Sequence, residues 1–196
     1  MAENFIYNQY DFLYRFLKDS YVLDIGAYIG DTAILFCKKG AKKVYAFELH
    51  PLLFEICKKN IELNNLEKNI EFFNYGVSDV DKRVEIYNDD FCGPTGTFGY
   101  RQINSAKKIN IELNSLAKLI NKIERIDILK MDCEGAEFEP VLSCNEKDLR
   151  KIKVIAIEYH KKPTVLIEYL KSCGFQVVLK EKKIDLGFIF AINNNQ

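Results

Sequence analysis

Short apolar runs alternate with longer amphipathic segments along most of the 196-residue chain, and no other feature of the sequence constrains the fold as strongly. The runs have the length of buried strands, whereas the amphipathic segments repeat apolar residues at the spacing of one helix face. Strands that alternate with helices form a mostly parallel sheet with helices on both faces. We therefore predict an α/β, Rossmann-like fold in a single domain over 1–196, with an N-terminal helix in 1–20 and the core in 21–196.

The pattern also gives approximate bounds for each element. The predicted helices are Phe5–Lys18, Asp31–Lys39, Pro51–Asn64, Ser115–Ile123 and Pro163–Cys173. The predicted strands are Tyr21–Ile25, Val44–Phe47, Ile70–Tyr75, Val84–Tyr87, Ile126–Met131, Val154–Tyr159, Phe175–Leu179 and Gly187–Ile192. The glycine-rich stretch Phe91–Ser105 is predicted as a loop, either close to a ligand or a plain connection.

Charge and composition narrow the range of partners and locations. The 28 basic and 28 acidic side chains cancel, which argues against a nucleic-acid partner, although a local basic patch would escape this count. The six cysteines include no Cys-x-x-Cys pair and are interpreted as reduced thiols. No apolar stretch approaches the roughly 20 residues that span a bilayer, and no signal peptide is evident. We therefore expect a cytoplasmic protein with no membrane partner; its oligomeric state is not predicted.

A glycine-containing turn follows the first predicted strand, in the segment Asp24–Thr32. Ligands of such sheets bind beyond the carboxyl ends of the strands, where glycines let the backbone approach them closely. A dinucleotide fingerprint requires Gly-x-Gly-x-x-Gly, but Tyr28 stands where its second glycine would be. Asp24, two residues before Gly26, suits a ligand with a positive amino group, such as the methionine part of S-adenosylmethionine. This ligand is therefore favoured over NAD.

Two further strand ends supply candidates for the rest of such a ligand. Glu48, with Leu49 beside it, follows Gly26 by about 20 residues, the spacing at which an acidic residue accepts hydrogen bonds from ribose hydroxyls. Alone, Glu48 could also be a carboxylate favoured by a helix N-terminus. The segment Gly76–Ser78 follows the third strand and could frame an adenine edge, although such residues are also common in turns.

Acidic residues are concentrated after the strand that ends at Met131. Asp132, Glu134 and Glu137 lie within six residues of one another, so they either raise one another's pKa, bind a cation or form a solvated acidic turn. The next strand ends in Glu158 and His160. His160 is a candidate general base.

The same strand ends also form a candidate metal site. Because neighbouring parallel strands lie about 4.8 Å apart, Asp132, Glu158 and His160 could converge on one cation. Their oxygen and imidazole ligands suit Mg²⁺ or Mn²⁺ better than zinc. The competing account has no metal, with His160 as the base and Glu158 or Asp132 orienting it.

Four segments together resemble the FkbM-type methyltransferases over roughly Val22 to Ile192. They are DIGAYIGDT (Asp24–Thr32), FELHP (Phe47–Pro51), ILKMDCEGAE (Ile128–Glu137) and IEYH (Ile157–His160). The resemblance implies the class I methyltransferase sheet of seven strands, with the last strand inserted antiparallel. It also implies that Asp24, Gly26, Ala27 and Gly30 contact the methionine end of the cofactor. Tyr28 departs from the family, which often has asparagine there.

The resemblance implies O-methylation of a hydroxyl on a small molecule or sugar, with S-adenosylmethionine as cofactor. The expected cofactor contacts are Asp24, Gly26, Ala27, Tyr28, Gly30, Thr32, Glu48, Leu49, Gly76, Val77, Ser78 and Asp132. The expected catalytic residues are Asp132, Glu134, Glu158 and His160. The alternatives are a methyltransferase of RNA or protein, and a cofactor-binding protein without turnover.

Overall fold

The structure, a computed structural model, describes residues 9–87, 108–183 and 185–194. Its strands are β1 (Tyr21–Ile25), β2 (Lys43–Phe47), β3 (Ile70–Phe73), β4 (Gly76–Ser78), β5 (Lys82–Tyr87), β6 (Lys108–Ser115), β7 (Ile128–Met131), β8 (Val154–Tyr159), β9 (Phe175–Lys183) and β10 (Leu186–Asn193). Its helices are a 3-10 helix (Asp11–Phe16) and α1 (Asp31–Lys38), α2 (Pro51–Leu63), α3 (Leu116–Lys122), α4 (Phe138–Ser143), α5 (Glu146–Leu149) and α6 (Thr164–Ser172).

Seven strands form one sheet in the order β3-β2-β1-β7-β8-β10-β9. The pairs from β3 to β8 are parallel, whereas β10 runs antiparallel to both β8 and β9. The predicted sheet with its last strand inserted antiparallel is therefore confirmed. The chain order reverses at β1, between β2 and β7, and ligands of open α/β sheets bind at such a point.

Helices cover both faces of this sheet, because its central strands are apolar on both sides. The alternation of side chains along β1 sends Val22 to one hydrophobic cluster and Leu23 to the other. The Val22 cluster includes residues of α1, α2 and the 3-10 helix, and the Leu23 cluster includes residues of α3 to α6. Among the described residues, no helix is both long and apolar enough to cross a membrane.

The N-terminal prediction needs correction. Only residues from 9 onward of the expected helix Phe5–Lys18 are described, and they form the short 3-10 helix instead of an α-helix. Tyr10, Leu13 and Leu17 are buried against α1 and β10. Tyr10 and Leu13 are three residues apart, a spacing that the three-residue turn of a 3-10 helix places on one side.

A second, three-stranded sheet (β4-β6-β5) was not predicted. The expected strand Ile70–Tyr75 ends at Phe73, and the chain turns before β4 joins the second sheet. Strand β5 lies where Val84–Tyr87 was expected, whereas β6, α4 and α5 are new. The predicted loop Phe91–Ser105 lies outside the described residues.

Candidate active site

The glycine turn after β1 has a left-handed backbone at alternate positions. The φ angles are +73° at Gly26, +51° at Tyr28 and +82° at Gly30. A Cβ atom on Gly26 would lie 1.8 Å from the carbonyl oxygen of Asp132. Position 26 therefore requires glycine for two separate reasons, its backbone angle and the close approach of the chain after β7.

Backbone bonds tie this turn to the neighbouring strand β2. The amides of Gly26 and Ala27 donate to the carbonyl oxygen of Phe47, at 3.1 and 3.0 Å. The amide of Tyr28 donates to the Glu48 carboxylate at 3.0 Å. Tyr28 itself is 42% exposed, so its ring is not part of the core beneath the turn.

Asp24 lies beneath the turn and is fully buried. One carboxylate oxygen forms an ion pair with Lys130 at 3.0 Å, and the other accepts a hydrogen bond from the Thr32 hydroxyl at 2.6 Å. Within the described part of the chain, the oxygen beside Lys130 has this ion pair but no hydrogen bond. Asp24 and Thr32 support the turn from below, and their predicted contact with the cofactor stays a prediction.

Glu48 ends the second strand in a buried position beside the turn. Its two carboxylate oxygens accept hydrogen bonds from the amides of Tyr28 (3.0 Å) and His50 (2.8 Å). Burial raises the pKa of Glu48 to about 7, while these two bonds oppose the shift. Because His50 directly precedes α2, Glu48 also satisfies an amide at that helix start.

The expected adenine segment forms β4 and faces Leu49. A Cβ on Gly76 would lie 3.3 Å from the Cβ of Leu49 and 2.5 Å from a side-chain carbon of Leu113. Val77 and Ser78 are buried, and the Ser78 hydroxyl donates to Asp79 at 2.7 Å. The structure therefore brings Gly76 and Leu49 together, as expected for two walls of one site.

The acidic turn after β7 is organised by Glu137, which the sequence placed in the acidic group but not among the catalytic or cofactor-binding residues. Glu137 is fully buried, and one of its oxygens accepts the amides of Cys133 (3.0 Å) and Gly135 (2.9 Å). Glu134 and Gly135 have φ angles of +52° and +108°. Asp132 opens the turn, and its amide donates to the Ile25 carbonyl at 3.1 Å, so the acidic turn adjoins the glycine turn.

His160 lies between two carboxylates of this turn. Its Nδ1 is 3.1 Å from the Glu137 oxygen, and its Nε2 is 3.5 Å from Glu134. The hydrogen bond with Glu137 raises the pKa of His160 to about 9, against the effect of burial, and Asp132 and Glu134 add to the shift. Although burial raises the pKa of Glu137, the bond from His160 holds it below its usual range. The two residues therefore form a charged pair at neutral pH.

Glu158 occupies a different position from the one expected. It forms an ion pair with Lys182 of β9 at 2.8 Å. Burial and the nearby Asp132 charge raise the pKa of Glu158 to about 7. Among the described residues, the candidate metal ligands that come together are Asp132, Glu137 and His160, whose ligand atoms all lie within 4.8 Å of one another. Glu137 thus takes the place predicted for Glu158. The contact with Lys182 depends on the β9–β10 hairpin, which local sequence patterns do not reveal.

Known proteins resemble the chain in sequence. The methyltransferase FkbM domain matches residues 24–177. The methyltransferase sdnD of Sordaria araneosa is 21% identical over 172 residues, which cover 72% of this chain and 66% of sdnD. The chain thus spans just under two thirds of the length of this relative.

Solved structures share the fold at low identity. The crystal structure of methyltransferase FkbM from Methylobacillus flagellatus KT has a TM-score of 0.61 at 19% identity, covering 88% of this chain and 43% of that one. An rRNA methylase from Streptococcus thermophilus has a TM-score of 0.59 at 17% identity, covering 93% and 92%. SMU.1697c of Streptococcus mutans, solved in complex with SAH, has a TM-score of 0.56 at 16% identity, covering 94% and 97%. Because the domain match includes most of the chain and every predicted site residue from Asp24 to His160, the protein belongs to the family of FkbM methyltransferases.

Proposed function

We propose that the protein is an S-adenosylmethionine-dependent methyltransferase that acts on a hydroxyl group of a small molecule or sugar. The observation that carries this proposal is the contact between the glycine turn and Glu48 at the switch point of the sheet. Family membership and the S-adenosylhomocysteine bound by a protein of the same fold support it.

The residues present fit this cofactor. The lack of a Cβ at Gly26 lets the glycine turn lie against the Asp132 carbonyl, and the lack of one at Gly76 lets β4 pack against Leu49 and Leu113. In the proposed arrangement, the turn from Gly26 to Gly30 and Asp132 hold the methionine end, Glu48 accepts the ribose hydroxyls, and Leu49 with Gly76–Ser78 encloses the adenine. When bound, S-adenosylmethionine would supply a sulfonium-bound methyl group: an aligned acceptor oxygen would bond to the methyl carbon while the carbon–sulfur bond breaks, with S-adenosylhomocysteine as the leaving group.

We assign the role of general base to His160. The buried carboxylate of Glu137 holds Nδ1, and we assign Nε2, which lies 3.5 Å from the partly exposed Glu134, to take a proton from an acceptor hydroxyl. In a catalytic triad a buried carboxylate orients the histidine in the same way. Glu134, Asp132 and Glu158 place further negative charge around the imidazole and stabilise the protonated form that the reaction produces.

The acceptor class rests on the family and on what the sequence lacks. No Asn-Pro-Pro-Tyr or Asp-Pro-Pro-Tyr segment, typical of many amino-group methylators, is present. RNA stays the main alternative, since an rRNA methylase shares the fold and zero net charge does not exclude a basic patch. We expect release of S-adenosylhomocysteine with a panel of sugars and hydroxylated metabolites. Release with total RNA or with protein alone would contradict the proposed acceptor class while leaving methyl transfer intact.

Substitution of Glu48 tests the cofactor assignment. Charge-assisted hydrogen bonds are each worth roughly 1.5–3 kcal/mol. Glu48→Ala should therefore weaken S-adenosylhomocysteine binding, measured by calorimetry, at least about tenfold. Glu55→Ala, on the exposed side of the adjoining helix α2, is the matched control and should leave affinity unchanged. Reduced thermal stability of Glu48→Ala with unchanged affinity would show that Glu48 serves the helix start alone.

Removal of metal tests the alternative use of Asp132, Glu137 and His160. The Glu137 oxygen that faces His160 already accepts two backbone amides, and Nδ1 of His160 completes its set of donors. The other oxygen of Glu137 is buried and has no hydrogen-bond partner among the described residues, so it is the atom of this carboxylate left for a cation. Because the first oxygen and Nδ1 of His160 are bonded to each other, we propose a metal-independent site. Activity should withstand exhaustive EDTA treatment and should not rise with added Mg²⁺ or Mn²⁺. Loss with EDTA and recovery with Mg²⁺ would instead establish the predicted metal site, with Glu137 in place of Glu158.

A further inference from the structure

Lys130 is a charged residue in the interior of the sheet that the proposed reaction does not use. It lies in β7, is 1% exposed, and its partner in register on β1 is Asp24. Partners in register on neighbouring parallel strands project from the same face. Its Nζ is 3.0 Å from the Asp24 carboxylate, 2.8 Å from the Gly26 carbonyl oxygen and 3.4 Å from that of Ile25. The ammonium therefore donates hydrogen bonds to the two carbonyl oxygens, while its contact with Asp24 is an ion pair.

The surroundings keep Lys130 charged in spite of its burial. Burial lowers its pKa, but the charge of Asp24 and the more distant Asp132 together raise the pKa above its usual range. The Tyr10 ring from the N-terminal segment lies 5.9 Å from Nζ. The ammonium is therefore enclosed by a carboxylate, two carbonyls and an aromatic ring.

Charge neutralisation of Asp24 accounts for only part of this arrangement. The bonds to Gly26 and Ile25 give no further neutralisation, but they fix the peptide groups with which the glycine turn begins. The Gly26 amide donates to Phe47 of β2, while its carbonyl accepts from Lys130. With both of its polar groups bound to different strands, Gly26 cannot rotate its peptides without losing a buried hydrogen bond.

We propose that Lys130 is a positioning residue for cofactor binding, which fixes the glycine turn through the Gly26 carbonyl and occupies Asp24 in place of the cofactor's amino group. This inference rests on the proposed function. It accounts for the full burial of Asp24 against Lys130, at a position that the sequence predicts to bind the ligand. Lys130 acts on the cofactor through the turn and does not touch it.

A pair of variants separates positioning from neutralisation. Lys130→Met alone leaves Asp24 charged and buried, so it should lower both the melting temperature and affinity for S-adenosylhomocysteine. Lys130→Met combined with Asp24→Asn removes both charges and keeps the Thr32 bond possible. The double variant should recover most of the melting temperature yet still bind S-adenosylhomocysteine at least about tenfold more weakly than the wild type. Recovery of wild-type affinity would overturn the proposal, because neutralisation would then be the whole role of Lys130.

Asp24→Asn alone provides the second measurement, which decides the matter if the double variant fails to fold. The buried ammonium loses its carboxylate partner, so the melting temperature should fall. Lys130 keeps its carbonyl bonds, so affinity for S-adenosylhomocysteine, measured below the unfolding transition, should stay within about threefold of the wild type. A loss above tenfold for S-adenosylhomocysteine, with none for 5′-methylthioadenosine, would show that Asp24 binds the amino-acid end and would overturn the proposal. Lys153→Met, at a half-exposed lysine paired with Asp127 at the opposite end of the strands, is the control and should bind as the wild type does. Absence of binding by the wild type would overturn the proposed function as well, a result distinct from the others.

Discussion

Gly26→Ala is expected to abolish measurable S-adenosylhomocysteine binding and to destabilise the fold by about 3 kcal/mol or more. The added Cβ would lie 1.8 Å from the Asp132 carbonyl oxygen, a backbone atom that cannot move without shifting the acidic turn. The φ angle of +73° adds the strain of a left-handed alanine. Because Lys130 and Phe47 bind the two polar groups of Gly26, displacement of the turn would also break buried hydrogen bonds.

Gly135→Ala is the matched control for this prediction. Gly135 also has a positive φ angle, +108°, but no atom lies within 4 Å of the position that its Cβ would take. It should therefore suffer backbone strain of about 1–3 kcal/mol without a collision. The comparison uses thermal unfolding and calorimetric titration with S-adenosylhomocysteine. Equal effects of the two substitutions would contradict the idea that the close approach of the two turns shapes the cofactor site.

The sequence predicted the parts of the site that lie at the ends of buried strands. Glu48, Asp132 and His160 each follow an apolar run, and parallel strands bring their carboxyl ends to one edge. The sequence patterns do not single out Lys130, because it lies inside such a run and not at its end. A lysine in a strand that is buried at every position was nevertheless a signal, since lysine is almost never buried without a partner.

Other features depend on geometry that local patterns do not contain. Glu137 reaches the amides of the acidic turn only because Glu134 and Gly135 adopt left-handed angles. Lys182 reaches Glu158 only through the hairpin of β9 and β10. By contrast, β6 could have been predicted, because its alternation of apolar and polar residues has the period of a strand.

We expect the rate of methyl transfer to depend strongly on pH, because His160 is the proposed general base. With a pKa of about 9, only about 1% of the imidazole is neutral at pH 7, and a general base must be neutral to accept a proton. Methyl transfer should therefore rise about tenfold per pH unit above pH 7 and level off near pH 9. Any inflection close to pH 7 belongs to Glu48 or Glu158, whose pKa values are about 7. His160→Gln should lower the rate at pH 9 by about 10²–10⁴.

The contribution of the His160–Glu137 ion pair to protein stability should fall with rising pH, whereas the rate rises. The pKa of His160 in the fold, about 9, exceeds the value of about 6.5 expected for an unfolded histidine. The bond with Glu137 therefore contributes fully between the ordinary pKa of a glutamate, about 4.3, and about pH 6.5. This contribution is lost as the pH rises through 9, and also at acid pH, where Glu137 takes up a proton. The melting temperature must be followed over the same range, so that a gain in rate is not masked by unfolding.

Glu137→Gln tests the origin of the shift, and its readout does not need an acceptor. The chain has two histidines, so NMR titration can follow both imidazoles, with His160→Gln to assign them. Glu137→Gln should lower the pKa of His160 toward its ordinary value, because the main cause of the shift is removed. It should also lower the maximal rate, because the imidazole loses the carboxylate that orients it. Glu139, two residues after Glu137, is an exposed carboxylate paired with Lys161. Glu139→Gln should leave the pKa of His160 and the rate unchanged. Two results would contradict the role of His160 as base: titration of its imidazole near pH 6.5 in the wild type, or a rate that is constant from pH 7 to 9 and unchanged in His160→Gln. Glu158 would then be the residue to substitute next.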